Sequence, residues 1–145
     1  MYSANIRRLI QFRLDQADEA VRAARLLFDQ HFLRDVVNRS YYGMFYAVLA
    51  LLLTQQLGTS KHSGAISLFD REFVRPGIFT RELSAWLHEA FEMRLTADYA
   101  ELAAVSSEEA QRVLHHAHAF ISQARGYLNA LLADTSNAED PETHA

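Results

Sequence analysis

The sequence predicts an all-α protein, an up-and-down helical bundle of four long helices plus one short helix. Apolar residues recur at three- and four-residue steps through most of the 145 residues, which is the period of amphipathic helices. No segment alternates with the two-residue period of a strand. Since 50% of the residues are hydrophobic, the chain has enough apolar surface for one core, and we expect one domain over residues 1–132.

The first two helices are predicted from their apolar patterns. The first runs from about Ala4 to Phe28, and the second has Asp35 as its expected N-cap and Gly58 at its end. The second helix is apolar on most sides, so it belongs in the centre of the bundle. Its uncharged apolar run, Tyr41 to Leu53, is shorter than the roughly 20 residues that cross a bilayer, and we expect no membrane partner.

A turn separates the third and fourth helices. A short helix is expected from Ser63, which can cap it, to Phe73, and Pro76 with Gly77 forms a turn pair after it. Thr80 can then cap a fourth helix that reaches about Leu95.

The last helix is expected to be the longest element. Ser106 and Glu109 have the spacing of a capping box, in which two side chains satisfy each other's backbone N–H groups. Apolar residues then continue at helical spacing to Leu131. The segment from residue 133 to 145 is polar, acidic and without period, so we expect a disordered tail.

Arg94 continues the apolar stripe of the fourth helix. At about 100° per residue, it falls close to Leu83 and Ala90. Burying a charged group alone costs several kcal/mol, so an arginine there is expected to be paired or functional. The structural alternative is an ordinary ion pair with Asp98, four residues on, although Arg before Asp is the weaker order for such a pair.

A second arginine heads a mostly apolar line on the second helix. Arg39, Tyr42, Gly43 and Tyr46 share one face at i, i+3, i+4 and i+7 spacing. Gly43 would let another helix approach closely, at a propensity cost of roughly 1 kcal/mol. The alternative for Arg39 is that it caps carbonyl groups or pairs with a glutamate.

Lys61 and His62 come just before the third helix. Unpaired backbone N–H groups and the helix dipole favour an anion at such a position, whereas the alternative is an ordinary loop with exposed charge. The run "HHAH" brings only His115 and His118 towards one face, and a metal needs more ligands. We therefore expect surface histidines, no metal site and no cofactor.

Composition excludes several classes of protein. The formal net charge of −4 argues against a protein that coats nucleic acid, and we expect no DNA partner. The basic residues are 13 arginines and a single lysine, and arginine holds planar anions by two-pronged contacts better than lysine does. The absence of cysteine suits a reducing compartment, and the N-terminus lacks the continuous apolar stretch of a signal peptide. We expect a cytoplasmic protein.

Three stretches together resemble a known family, the HEPN domains, in its prokaryotic stand-alone branch. They are "NRSYYGMFYAVLALL", "KHSGAISLFDREFVRPGIF" and "AFEMRLTADYAE", in this order, and the resemblance covers roughly Ile6 to Leu132. It implies a bundle of four or five helices, a homodimer, and a partner gene for a minimal nucleotidyltransferase in a toxin–antitoxin-like pair. Many members of the family are metal-independent ribonucleases.

The ribonuclease motif of the family is incomplete here. That motif is an Arg, four to six residues and a His at the end of the penultimate long helix, paired across the dimer. Arg94 matches the Arg, but positions 98 and 99 are Asp and Tyr, and His115 belongs to the next helix. RNA cleavage by its own 2′-hydroxyl needs a group that exchanges a proton near pH 7, which His does and Asp does not. The missing His therefore weakens the ribonuclease hypothesis, unless His62 exchanges the proton instead.

Our leading hypothesis is a homodimer that binds a nucleotide or RNA phosphate and acts with a nucleotidyltransferase partner. In it Arg39 and Arg94 hold phosphate, and Asp98 orients Arg94. Tyr99 could be a phenolic acceptor for nucleotidyl transfer. The residues of this predicted site are Arg39, Tyr42, Lys61, His62, Arg94, Asp98 and Tyr99.

Two alternatives remain open from the sequence. The enzymatic one is a metal-independent ribonuclease toxin with Arg94, His62 and Asp98 as candidate catalytic residues. The structural one is a dimerising scaffold without catalysis, with Gly43 and the Tyr42 face at the interface.

Overall fold

The computed structural model describes residues 2–59, 61–99 and 104–143 as an all-α bundle. Within these ranges there are five α-helices and no strand, which confirms the predicted fold class. Four helices are long and α3 is short, and a π-helical turn, Asp70–Val74, continues α3. The helices are α1 (Ala4–Asp29), α2 (Leu33–Leu53), α3 (His62–Phe69), α4 (Arg81–Tyr99) and α5 (Ser107–Thr143).

Helix α2 lies at the centre and packs against each of the other four helices or their extensions. More than half of its residues are buried, among them Tyr41, Met44 and Leu51. Long apolar side chains from α3, α4 and α5, such as Phe69, Leu87 and Phe120, close the core around it. An apolar surface on most sides of α2 is therefore the property that places it in the interior.

Close packing in the middle of the bundle depends on Gly43. A Cβ atom at this position would lie 3.0 Å from Cγ2 of Val21 on α1 and 3.1 Å from Cδ1 of Ile121 on α5. The close helix approach expected at Gly43 is thus made, with two helices of the same chain. Since Gly43 is buried inside its own bundle, the structural alternative that placed it at a subunit interface is wrong on this point.

The helix ends agree with the sequence in part. Ser106 and Glu109 form the predicted capping box, each backbone N–H bonding the other side chain at 3.0 Å. Asp35 is in the first turn of α2, whose N-cap is Phe32, so its predicted role as N-cap is wrong. Ser63 likewise does not cap α3, because the helix begins at His62 and its N-cap is Lys61.

The turn after the π-helical segment is the predicted one. Gly77 has a φ of 89°, in the left-handed region that glycine tolerates best. Asp70, the first residue of the π-helical turn, accepts hydrogen bonds from Ser84 Oγ at 2.6 Å and bonds His88 Nε2 at 2.7 Å. These bonds fasten the π-helical turn to α4.

Two findings concern the ends of the chain and the membrane. The backbone of α5 continues as helix through residues 133–143, which were expected to belong to a disordered tail. The domain boundary at residue 132 stays a prediction. Helix α2 is long and apolar enough to span a bilayer, but 67% of its apolar window is buried inside the bundle. The burial of a core helix explains this composition.

Candidate functional site

The inward-facing arginine of α4 lies at the junction of α2, α3 and α4, among aromatic side chains. We call this group the Arg94 cluster. Its members are Tyr41, Tyr42, Phe45, His62, Phe91 and Arg94.

The guanidinium of Arg94 is held against three aromatic rings. Its Cζ atom lies 5.1 Å from the ring centroid of Tyr41 and 5.7 Å from those of Tyr42 and Phe91. Each contact is within the range of a cation–π interaction, in which the ring face attracts the cation. Aromatic faces can therefore hold this charge without neutralising it.

Polar partners of Arg94 are few. Its Nη1 donates a long hydrogen bond of 3.5 Å to the Tyr42 hydroxyl, and its Nε atom is buried without a hydrogen-bond partner in the described structure. Within the described residues no hydrogen bond or ion pair joins Arg94 to Asp98, whose side chain is exposed to solvent. The described part of the chain thus leaves the guanidinium with unused donors and a full charge.

His62 is the second polar member of the cluster. It is the first residue of α3, and its ring stacks on Phe45 with centroids 4.3 Å apart and planes inclined by 21°. Its Nδ1 atom is hydrogen-bonded to the hydroxyl of Tyr41 at 2.8 Å. Because stacking and this bond occupy one ring face and one nitrogen, Nε2 is the atom left to exchange a proton with a ligand.

Burial sets the protonation of both hydrogen-bonded groups. Burial lowers the pKa of His62 below its ordinary value, and the positive charge of Arg94 lowers it further. Burial raises the pKa of Tyr41 well above the ordinary range, with Arg94 acting in the opposite direction. At neutral pH His62 is therefore an uncharged imidazole next to an uncharged phenol.

Arg39 lies against the same Tyr42 ring as Arg94. Its Cζ atom lies 4.9 Å from the Tyr42 ring centroid, and its Nε and Nη2 donate to Asn38 Oδ1 at 3.1 and 3.0 Å. It also lines a small cavity of about 170 Å³ with Glu19 and Tyr46, among other residues. Two guanidinium groups thus lie against the ring of Tyr42.

The remaining predicted residues are on the periphery. Lys61 is exposed at the start of α3, and no side chain among the described residues caps the first N–H groups of that helix. The side chain of Tyr99 lies outside the described part of the structure.

The three histidines of the last helix are not grouped as metal ligands. His115 and His118 are exposed, while His116 is half-buried and stacks on Trp86 with centroids 4.6 Å apart. Across residues 2–59, 61–99 and 104–143, no three His, Cys, Asp or Glu side chains are placed to hold a metal ion.

Sequence reasoning missed three residues of the cluster: Tyr41, Phe45 and Phe91. Aromatic residues at helical spacing usually belong to the core, and Tyr41 and Phe45 are indeed buried. A buried tyrosine normally has a hydrogen-bond partner for its hydroxyl, and for Tyr41 the polar stretch at Lys61 and His62 provides that partner. The need of the buried hydroxyl for a partner could have predicted the hydrogen bond between Tyr41 and His62.

The sequence is similar to known proteins over most of its length. A family model described as the HEPN domain matches residues 10–127. The chain is 34% identical to the "Putative toxin MJ0142" of Methanocaldococcus jannaschii over 92% of each chain. It is 38% identical to a "UPF0332 protein" of Thermotoga maritima, over 86% of this chain and 89% of that protein. It is 32% identical to "Putative toxin MJ0605" of M. jannaschii, over 91% of this chain and 98% of that one.

Proposed function

This chain belongs to the HEPN domain family, and on that premise we propose that it is a toxin-like protein that binds the phosphates of a nucleotide or of RNA at the Arg94 cluster. The observation that carries the proposal is the half-buried Arg94 guanidinium: among the described residues its buried Nε has no hydrogen-bond partner and no carboxylate is paired with it. An arginine kept charged and under-bonded in this way is suited to hold a phosphate oxygen, because charge-assisted bonds to phosphate are strong.

The surroundings of Arg94 support an anion. Arg39 brings a second guanidinium to the Tyr42 ring, and the uncapped start of α3 offers backbone N–H groups beside His62. Exposed Lys61 adds a positive charge at the same helix start. Tyr42, half-exposed between the two arginines, offers a ring on which a base can stack.

The proposed biological unit is a homodimer that works with a nucleotidyltransferase in a toxin–antitoxin-like module. Membership of the HEPN family and the names of two relatives support this context. An exposed apolar pair on α1 supports self-association, because Leu9 and Phe12 are 45% and 53% exposed and lie three residues apart on one face.

Calorimetry tests the phosphate site. Purified wild-type protein should release measurable heat with a nucleoside triphosphate and with a short RNA, and Arg94→Ala should lose most of it. Arg112→Ala is a matched control, since Arg112 is on α5 and pairs with Glu89 away from the cluster. Equal, negligible heats for wild type and Arg94→Ala would contradict the proposal.

A second candidate, a metal-independent ribonuclease, is favoured by the position of His62. In such a reaction the 2′-hydroxyl gives its proton to Nε2 of His62, its oxygen bonds to phosphorus, and the 5′ oxygen leaves and takes up a proton from solvent. Arg94 would stabilise the charge that builds up on the phosphate oxygens. The neutral imidazole at pH 7 is the form that can accept the proton.

The cleavage reaction has a clear signature. RNA incubated with the protein and EDTA should give fragments with 2′,3′-cyclic phosphate ends, and His62→Gln should abolish them while phosphate binding at Arg94 remains. If RNA and tRNA stay intact under these conditions, the protein is a phosphate-binding module without this activity.

A further inference from the structure

A second polar groove lies between α1 and α5, away from the Arg94 cluster. Its volume is about 570 Å³. The cluster is built on α2, α3 and α4, so the two sites have no residue in common. The groove is lined by Asp15, Asp18, Val21, Arg22, Arg25, His118, Ile121, Ser122 and Arg125.

The acidic side chains of the groove already have partners. Asp18 is paired with Arg125 at 2.7 Å, and Asp15 accepts a hydrogen bond of 2.8 Å from Gln11. Arg22 and Arg25 are exposed, and neither makes a hydrogen bond or an ion pair with another described residue. Gln11 is neutral, so Asp15 keeps its negative charge. Once the Asp18–Arg125 pair is set aside, the groove holds two unpaired arginines and one aspartate, a net charge of +1 with His118 counted as neutral.

The spacing of the polar residues places them along the groove. Arg22 and Arg25 are three residues apart on α1, so they are neighbours on one helix face. His118 and Ser122 are four residues apart on α5 and supply further hydrogen-bonding groups on the opposite wall.

The floor of the groove is apolar. Val21 and Ile121 form it, and both are buried against the space left by Gly43 on α2. Two arginines beside an apolar floor suit a ligand that has phosphates on one side and an apolar sugar face on the other. A small inorganic anion would leave this floor unused.

We propose that the α1–α5 groove binds the backbone of single-stranded RNA, with Arg22 and Arg25 as contacts to consecutive phosphates. Arginine binds phosphate oxygens in two-pronged geometry, and positive groups that follow the backbone are one component of sequence-independent sites for single strands. This inference rests on the proposed function in that RNA is the ligand of the protein. In this inference the groove holds the RNA strand, and the Arg94 cluster binds one of its phosphates.

Salt-dependent binding of RNA tests the groove directly. The probe is a fluorescein-labelled single-stranded RNA of roughly 16 nucleotides, the upper end of the length that one single-strand site covers. Arg22→Gln/Arg25→Gln should weaken binding roughly 3- to 10-fold at low salt, as expected for two exposed ionic contacts. The slope of log K against log salt should fall by about 1.4, since each phosphate contact on a single strand contributes about 0.7.

The matched control removes the same charge elsewhere. Arg75 and Arg81 are exposed and lie outside the groove, so Arg75→Gln/Arg81→Gln should leave the slope and the affinity close to wild type. Unchanged binding by Arg22→Gln/Arg25→Gln would overturn the inference, as would an equal loss in both double variants, which would indicate general charge attraction.

This experiment tests the two proposed sites independently. If Arg94→Ala abolishes phosphate binding and the groove variant binds RNA like wild type, the groove inference is wrong and the proposed function stands. If the groove variant loses the salt slope and Arg94→Ala does not change binding, the groove stands and the role of Arg94 is wrong. Absence of any RNA binding by the wild type would overturn the groove.

Discussion

The phenolic oxygen of Tyr41 lies 2.8 Å from Nδ1 of His62 and joins the middle of α2 to the first residue of α3. Tyr41 is fully buried, whereas His62 is at the edge of the cluster, so the bond ties an accessible imidazole to the rigid core. It also engages Nδ1 and leaves Nε2 as the other ring nitrogen, a detail that determines how histidine exchanges protons.

Tyr41→Phe should lower the free energy of unfolding by about 1 kcal/mol, the net contribution of one intramolecular hydrogen bond. The ring is kept, so its contacts with Arg94 and Phe91 should persist. Tyr46→Phe is the control, because Tyr46 is half-exposed and its hydroxyl makes no hydrogen bond within the described structure. Urea unfolding measures both changes, and equal effects of the two substitutions would show that the Tyr41–His62 bond contributes nothing specific.

Stability should fall as the pH is lowered from about 7.5 to 5.5. The folded state lowers the pKa of His62 below the ordinary value near 6.5, so the unfolded chain takes up a proton that the folded chain resists. This cost is absent above the unfolded pKa and grows as the pH falls below it. His116, whose pKa burial also lowers, contributes in the same direction.

Urea midpoints at the two pH values test the histidine assignment. His62→Gln should reduce the loss of stability between pH 7.5 and 5.5, and His62→Gln/His116→Gln should reduce it further. His115→Gln is the control, since that side chain is exposed on α5. The same pH dependence in the wild type and the double variant would exclude these two histidines as its source.

Local patterns in the sequence predicted the helices well because those patterns are caused by local physics. The capping box at Ser106 and the turn at Gly77 depend on a few neighbouring residues, and both are present as predicted. The predicted N-cap of α2 was wrong because the helix begins at Leu33, directly after the turn in which the Phe32 N–H bonds the Leu27 carbonyl. Helical periodicity placed Arg39 and Arg94 inward, but spacing along one helix could not show that aromatic rings from α2 would surround Arg94.

Gly43→Ala should destabilise the bundle although alanine is the better helix former. The added methyl would lie 3.0 Å from Val21 and 3.1 Å from Ile121, both β-branched residues with stiff χ1 angles in helices. Overpacking costs about 1–3 kcal/mol, against a propensity gain of roughly 1 kcal/mol, so a net loss of up to about 2 kcal/mol is expected.

Gly126→Ala is the matched control for the Gly43 substitution. Gly126 is an exposed position on α5 with nothing within 4 Å of an added Cβ, so only the propensity gain of roughly 1 kcal/mol applies. Thermal or urea unfolding should therefore show opposite signs for the two glycine substitutions. A gain of stability in Gly43→Ala would show that α1 and α5 move apart freely at this point.

Arg94→Met should separate binding from stability. Arg94 keeps a buried Nε without a hydrogen-bond partner, and leaving such a group unsatisfied costs about 1–3 kcal/mol, which cation–π contacts of about 0.5–2 kcal/mol offset in part. Methionine has similar length and makes favourable contacts with aromatic rings, so it can fill the space between Tyr41, Tyr42 and Phe91 without the unsatisfied donor.

We expect the free energy of unfolding of Arg94→Met to stay equal or rise by about 1 kcal/mol. The affinity for nucleotide or RNA phosphate should fall at least about tenfold, which is the loss of one strong charge-assisted contact. A loss of more than about 2 kcal/mol in stability, with phosphate affinity unchanged, would mean that this arginine is a structural element of the α2–α4 contact and not a ligand-binding residue.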